Sequence, residues 1–142
     1  MTSSPYDWKA VVARLLFSLF LVFSLYNPSG YSYWHWMGAP PNGPWNSLWA
    51  KGFVGLGVLG LHVLIWKTVI AILRPSGVFF VLTLSGLGFA AISEFGLLDR
   101  QDLGTVLMAI MIMLVAVLTT GLNKSSIMHR LTGVQHTEEV KH

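Results

Sequence analysis

Cysteine is absent from the 142 residues. Disulfides, thiolate metal sites and a cysteine nucleophile are thereby excluded, and the redox compartment leaves no signature. Charge is scarce too: Asp, Glu, Lys and Arg make up 11% of the chain, against roughly 25% in an ordinary soluble domain. The nine Lys/Arg stand singly along the chain, with no basic run of the kind that reads nucleic acid, so no nucleic-acid partner is expected. The sequence also lacks a P-loop, G-x-S-x-G, H-E-x-x-H and a dinucleotide fingerprint. No cluster pairs a nucleophile with a base, so an enzyme is not expected, and no cofactor or metal is implied.

What the chain does have is apolar surface. Hydrophobic residues are 54% of it, with fourteen glycines and eighteen aromatics. A soluble domain of about 140 residues buries only roughly two-thirds of its unfolded surface, too little to hide this content. The bilayer is the expected solvent and the first partner.

Charge-free runs locate the spans. Thirty-six residues separate Arg14 from Lys51, nineteen run from Pro75 to Ser93, and twenty-one from Leu103 to Asn123. Crossing about 30 Å of hydrocarbon takes about 20 residues of helix. Four helices fit, over about 8–26, 48–73, 76–95 and 103–122, followed by a cytoplasmic tail at 123–142. The alternation of a membrane β-barrel is absent. The fold class read from these runs is an all-α membrane protein, a four-helix antiparallel bundle forming one domain over 1–142. Lys9 and Arg14 ahead of Leu15–Tyr26 resemble the start of a signal peptide, but the Asn27-Pro28-Ser29-Gly30 turn offers no small-residue cleavage site, and a retained helix is expected.

Orientation follows from the cations. With the N-terminus inside, seven fall on the inner side (Lys9, Arg14, Lys67, Arg74, Lys124, Arg130, Lys141) and two, Lys51 and Arg100, outside. This obeys the positive-inside rule and puts both termini in the cytoplasm. Arg14 and Lys67 read as snorkelling anchors. Pro75 is expected to end the second helix and open the third within a few residues, and Asp102 to cap the fourth.

Several residues are candidates for function. His62 sits mid-span, where an ionisable side chain is expensive and rarely faces lipid. It reads as a proton relay, a ligand or a pore-lining group, or as a neutral imidazole bonded to Thr83 or Ser85; the structural role is favoured, since no second intramembrane histidine or carboxylate completes a set. Glu94, Asp99 and Asp102, with Arg100 among them, form either a solvated loop or, in a symmetric oligomer, a carboxylate ring at an outer mouth. Gly52, Gly55, Gly57 and Gly60 on helix two and Gly86, Gly88 and Ala90 on helix three are candidates for close helix packing, within the chain or between copies. If the hairpin turns near 74–75, His62 is level with residues 86–88 and Gly55 with Glu94.

The first outer loop is dense in aromatics: Tyr31, Tyr33, Trp34, Trp36 and Trp45, with His35 among them. An interfacial belt accounts for amphipathic rings, and the interspersed Pro and Gly suggest a folded cap. His35 with Met37 is the pattern of a soft-metal site, but His and Met are common in an aromatic cap without metal, and the cap is the favoured reading. Met108, Met111 and Met113 read as core filler. In the tail, Ile127, Leu131 and Val134 share a helical face suited to docking.

The run Tyr26–Trp36 (YNPSGYSYWHW), the turn Arg74-Pro75-Ser76-Gly77 and the tail segment His129-Arg130-Leu131-Thr132-Gly133 resemble a family of short bacterial inner-membrane proteins with four predicted helices and no assigned function. The resemblance covers nearly the whole chain. It implies a bacterial source, a multi-pass inner-membrane location and the four-helix fold, and it transfers no site residue. The leading functional expectation is a homo-oligomeric, cation-biased, channel-like pore. A non-conducting scaffold or accessory subunit of a larger membrane complex is the alternative, and a haem, metal or lipid-soluble cofactor near His35 or His62 is the third.

Overall fold

The computed structural model describes residues 7–132. They are almost entirely helical, and no strand occurs among them. Four helices follow in order: α1 (Trp8–Leu25), α2 (Tyr33–Gly38), α3 (Leu48–Glu94) and α4 (Leu103–Thr132), with a 3-10 turn at Pro44–Asn46. Three of them, α1, α3 and the Leu103–Lys124 stretch of α4, are long and apolar enough to cross a membrane.

Each long helix starts on a polar cap, as orphan N–H groups require. The Asp7 carboxylate accepts from Lys9 N at 3.1 Å, Ser47 Oγ from Ala50 N at 3.2 Å, and Asp102 Oδ2 from Thr105 N at 2.7 Å. The expected capping role of Asp102 is thus present. At the other end of α3, Phe95 closes the last turn and Gly96 takes φ 70°, the left-handed geometry that glycine supplies after a helix.

The second and third expected helices meet without a loop. α3 is helical on both sides of Arg74, whose φ 60° and ψ 162° break the helix between them. Pro75 has no N–H to donate and its fixed φ already suits a first helical turn, so the whole change of direction falls on Arg74. Holding a non-glycine residue there costs about 1–3 kcal/mol, which the surroundings must offset. One offset is visible: the Ile72 carbonyl, just before the break, accepts from Lys124 Nζ of α4.

α4 also departs from expectation, running ten residues beyond 122. Its continuation 123–132 contains neither Gly nor Pro, the first stop signal being Gly133, so nothing ends the helix sooner. The docking surface expected at Ile127, Leu131 and Val134, and the cations Arg130 and Lys141, lie outside the described side chains.

The core is small and shared by three helices. Leu21 and Val22 of α1, Val69 and Leu73 of α3, and Met111, Val115, Val117 and Leu118 of α4 are buried together. Gly121 lets α3 and α4 touch: a Cβ there would lie 2.6 Å from Val69 Cγ1. Beside it, buried Asn123 accepts from Arg14 Nη1 at 2.8 Å and donates to the Thr119 carbonyl at 2.8 Å. Arg14 is therefore fastened across α1 and α4 rather than being a lone snorkelling anchor, because Asn123 offers an acceptor at its level.

Candidate functional site

On α3 the first buried stripe is periodic. Lys51, Gly55, Val69 and Leu73 are buried, and Val58, His62, Ile65 and Trp66 are half-buried. At 100° per residue all eight share one face. His62 thus points toward the body of the protein, midway between two fastened ends. Its Nδ1 donates to the Val58 carbonyl at 2.8 Å. The expected bond to Thr83 or Ser85 is not formed, because the carbonyl one turn back on the same helix is closer to hand. In the neutral ring Nε2 is then an acceptor with no partner among the described residues.

The first end of that stripe is built by the aromatic loop. Tyr33 Oη occupies the space a Gly55 side chain would need and donates to the Lys51 carbonyl at 3.0 Å. Lys51 is 2% exposed, and its Nζ donates to the Met37 and Ala39 carbonyls. A charge so buried needs such acceptors. Around it, Asn27 Oδ1 accepts from Ser29 N at 3.0 Å, and Asn46 Nδ2 donates to the Pro40 carbonyl at 2.8 Å. His35 lies 2.8 Å from Ser32 Oγ and stacks on Tyr26 at 5.5 Å, while Tyr33 and Trp36 meet edge to face at 6.1 Å. His35 thus has protein partners on its ring, whereas Met37 offers Lys51 its carbonyl and keeps its side chain exposed. Tyr31, Trp34 and Trp45 remain exposed.

The glycines divide. Gly55 makes a close contact, whereas a Cβ on Gly52, Gly57, Gly60, Gly86 or Gly88 would meet no other described atom within 4 Å. Ala90 instead offers its carbonyl to Ser93 and Arg100. The close helix contact in this structure is a different one, Gly121 of α4 against Val69 in the first half of α3.

The acidic candidates gather after the second half of α3. Glu94 pairs with Arg100, which also donates to Ser93 Oγ at 2.6 Å. Asp99 accepts from Gln101 N at 2.8 Å. The Thr105 hydroxyl, then the Thr105 amide and, less, the Gly104 amide, hold the Asp102 carboxyl below the ordinary aspartate range against an opposing effect of desolvation. Among the described residues no group of three or more His, Asp or Glu is placed to hold a metal.

Behind Asp102, α3 and α4 part around a groove of about 600 Å³, within the range of ligand sites. Phe89, Ile92, Met108, Ile112 and Met113 supply its apolar wall, and Asp102 and Thr105 its polar rim. No sequence signal marked it, since it is a space left between helices rather than a residue pattern. The burial of Lys51 was equally hidden; the one available hint was a lone cation just inside a helix that follows an aromatic loop.

Apolar helices around a small core, three of them of spanning length, define an all-helical protein compatible with a membrane location. The chain belongs to a family of unknown function, DUF6524, whose sequence profile matches residues 9–142. No curated protein and no solved structure matches the chain.

Proposed function

We propose that the protein is a multi-pass bacterial inner-membrane protein whose four passes form an antiparallel bundle, and that it acts as a subunit of a homo-oligomeric, cation-biased channel. Four passes are favoured by both ends of α3 lying near one short segment. Gly55 meets Tyr33, while Gly88 shares a groove with Pro28. A straight helix would hold residues 55 and 88 about 50 Å apart, whereas the chain from Pro28 to Tyr33 reaches roughly 20 Å. The break at Arg74 supplies the reversal. Cytoplasmic termini follow from the seven-to-two cation split.

The observation that carries the functional reading is His62. A mid-span imidazole with one nitrogen unpaired faces inward, where a polar group marks a path for ions or protons. One chain fills its own core with apolar side chains, so the path is best shared between copies. Gly57 and Gly60, on the face of α3 turned away from His62, leave room for a second copy to pack against the chain. Three carboxylates against Arg100 between residues 94 and 102 bias the mouth to cations. Purified protein in planar bilayers should pass cation-selective current that changes with His62→Ala or Glu94→Gln. Silent bilayers together with a monomer by native mass spectrometry would overturn the reading.

A second reading rests on the aromatic loop. Tyr31 and Trp45 are both 88% exposed, and such rings suit a protein partner as well as an interface. On that reading the chain is a non-conducting scaffold or accessory subunit, and crosslinking in native membranes recovers one constant larger partner.

A further inference from the structure

The groove between α3 and α4 has a one-sided chemistry. Its wall is aromatic, aliphatic and thioether, and its ionisable lining residue is Asp102. From Gly104 at the rim to Met113 at the far end, α4 rises about 14 Å, close to the depth of one membrane leaflet. The charges around the rim have one net sign. Glu94 is paired with Arg100, leaving Asp99 and Asp102 in excess. The amino end of α4 offers only about half a positive charge to set against them. The Thr105 hydroxyl and the nearby amides keep Asp102 ionised at neutral pH.

We propose that this groove binds a lipophilic organic cation, the apolar body lying along Phe89, Ile92, Met108 and Ile112 and the cationic centre resting at the Asp102 carboxylate. Charge complementarity selects this occupant over others. An anionic amphiphile would put like charge against Asp102, and a neutral chain would gain nothing from it. The rim is open to solvent, so binding weakens as salt rises. The site needs only the groove within one chain, and stands whether or not the protein conducts.

Radiolabelled tetraphenylphosphonium tests this with the full chain in nanodiscs, empty nanodiscs giving the lipid background. The expected result is saturable binding above background, with tetraphenylborate, an anion of the same shape, showing none. Asp102→Asn removes the charge and keeps a good helix cap, and should weaken phosphonium binding about tenfold or more. Ala109→Trp, which fills the groove, should abolish it. Binding equal to empty nanodiscs, saturation by the borate, or unchanged phosphonium affinity in Asp102→Asn would each overturn the proposal. Thermal unfolding of both variants accompanies the assay. If Ala109→Trp is unfolded, Asp102→Asn decides alone.

Discussion

Toward the Arg74 end, α4 lays Val117, Leu118 and Gly121 against Val69 and its neighbours, and Asn123 ties in Arg14. Toward the Asp102 end, the same α3 and α4 separate around a groove and the side chains between them are at most half-buried. Hydropathy does not distinguish the two, since both lie within strongly apolar helices. Yet 28% of the most apolar 18-residue window of α4 is buried inside the chain, against 6% of that of α3. Apolar content reports which solvent a helix tolerates. Where small residues let backbones meet reports which surfaces the chain keeps for itself, because packing rather than hydrophobicity holds helices together in lipid.

The contrast can be broken by paired substitutions. Leu118 is fully buried and Leu59 is 53% exposed. Leu118→Ala should cost about 2–5 kcal/mol, and Leu59→Ala should stay within about 0.5 kcal/mol, both read by unfolding in mild detergent. Equal losses would mean that the open face of α3 is covered in the native assembly. Gly121→Leu, driven into Val69, should destabilise by about 1–3 kcal/mol or more, while Gly60→Leu leaves the monomer folded and, if copies associate there, disperses the oligomer on a sizing column. Asn123→Ala removes an acceptor from Arg14 and should cost about 1–3 kcal/mol.

Two smaller effects probe the open end. The Asp102 carboxyl is held below its ordinary range by Thr105. Its contribution is complete at neutral pH, and it is lost as pH falls from the ordinary aspartate value through the lower folded one. Unfolding midpoints compared across acidic pH should show this slope in the wild type and lose it in Asp102→Asn. Least affected is the Glu94–Arg100 pair, whose side chains are 75% and 48% exposed. Glu94→Gln should change stability by less than about 0.5 kcal/mol, so any change in conductance would be a functional one.

Much of the fold was legible because its signals are local. Apolar, charge-poor runs point to four spans, and the structure has three helices of spanning length because the middle two join in α3 across Arg74. Pro75 placed that break, and Asp102 announced the start of α4. The apolar run ends near 122, yet α4 continues unbroken to Thr132, because no Gly or Pro precedes Gly133 to end it. The site was less legible because its facts are relational. His62 was visible as an expensive mid-span group, but its bond to Val58 depends on a rotamer. That Gly121 rather than Gly57 makes the helix contact depends on how each helix is turned. Lys51 is buried only because the loop brings the Met37 and Ala39 carbonyls over it, which composition does not encode.

Tyr33 and Gly55 form a peg and its socket, the Tyr33 hydroxyl being held by the Lys51 carbonyl eighteen residues further on. Read as inheritance, this pairing constrains how the sequence can drift. Any side chain gained at 55 evicts the phenol, and loss of the ring at 33 leaves a hole over the backbone of α3. The two positions are expected to vary together among relatives, a larger residue at 55 appearing only beside a smaller one at 33. Lineages that have abandoned one should have refashioned both.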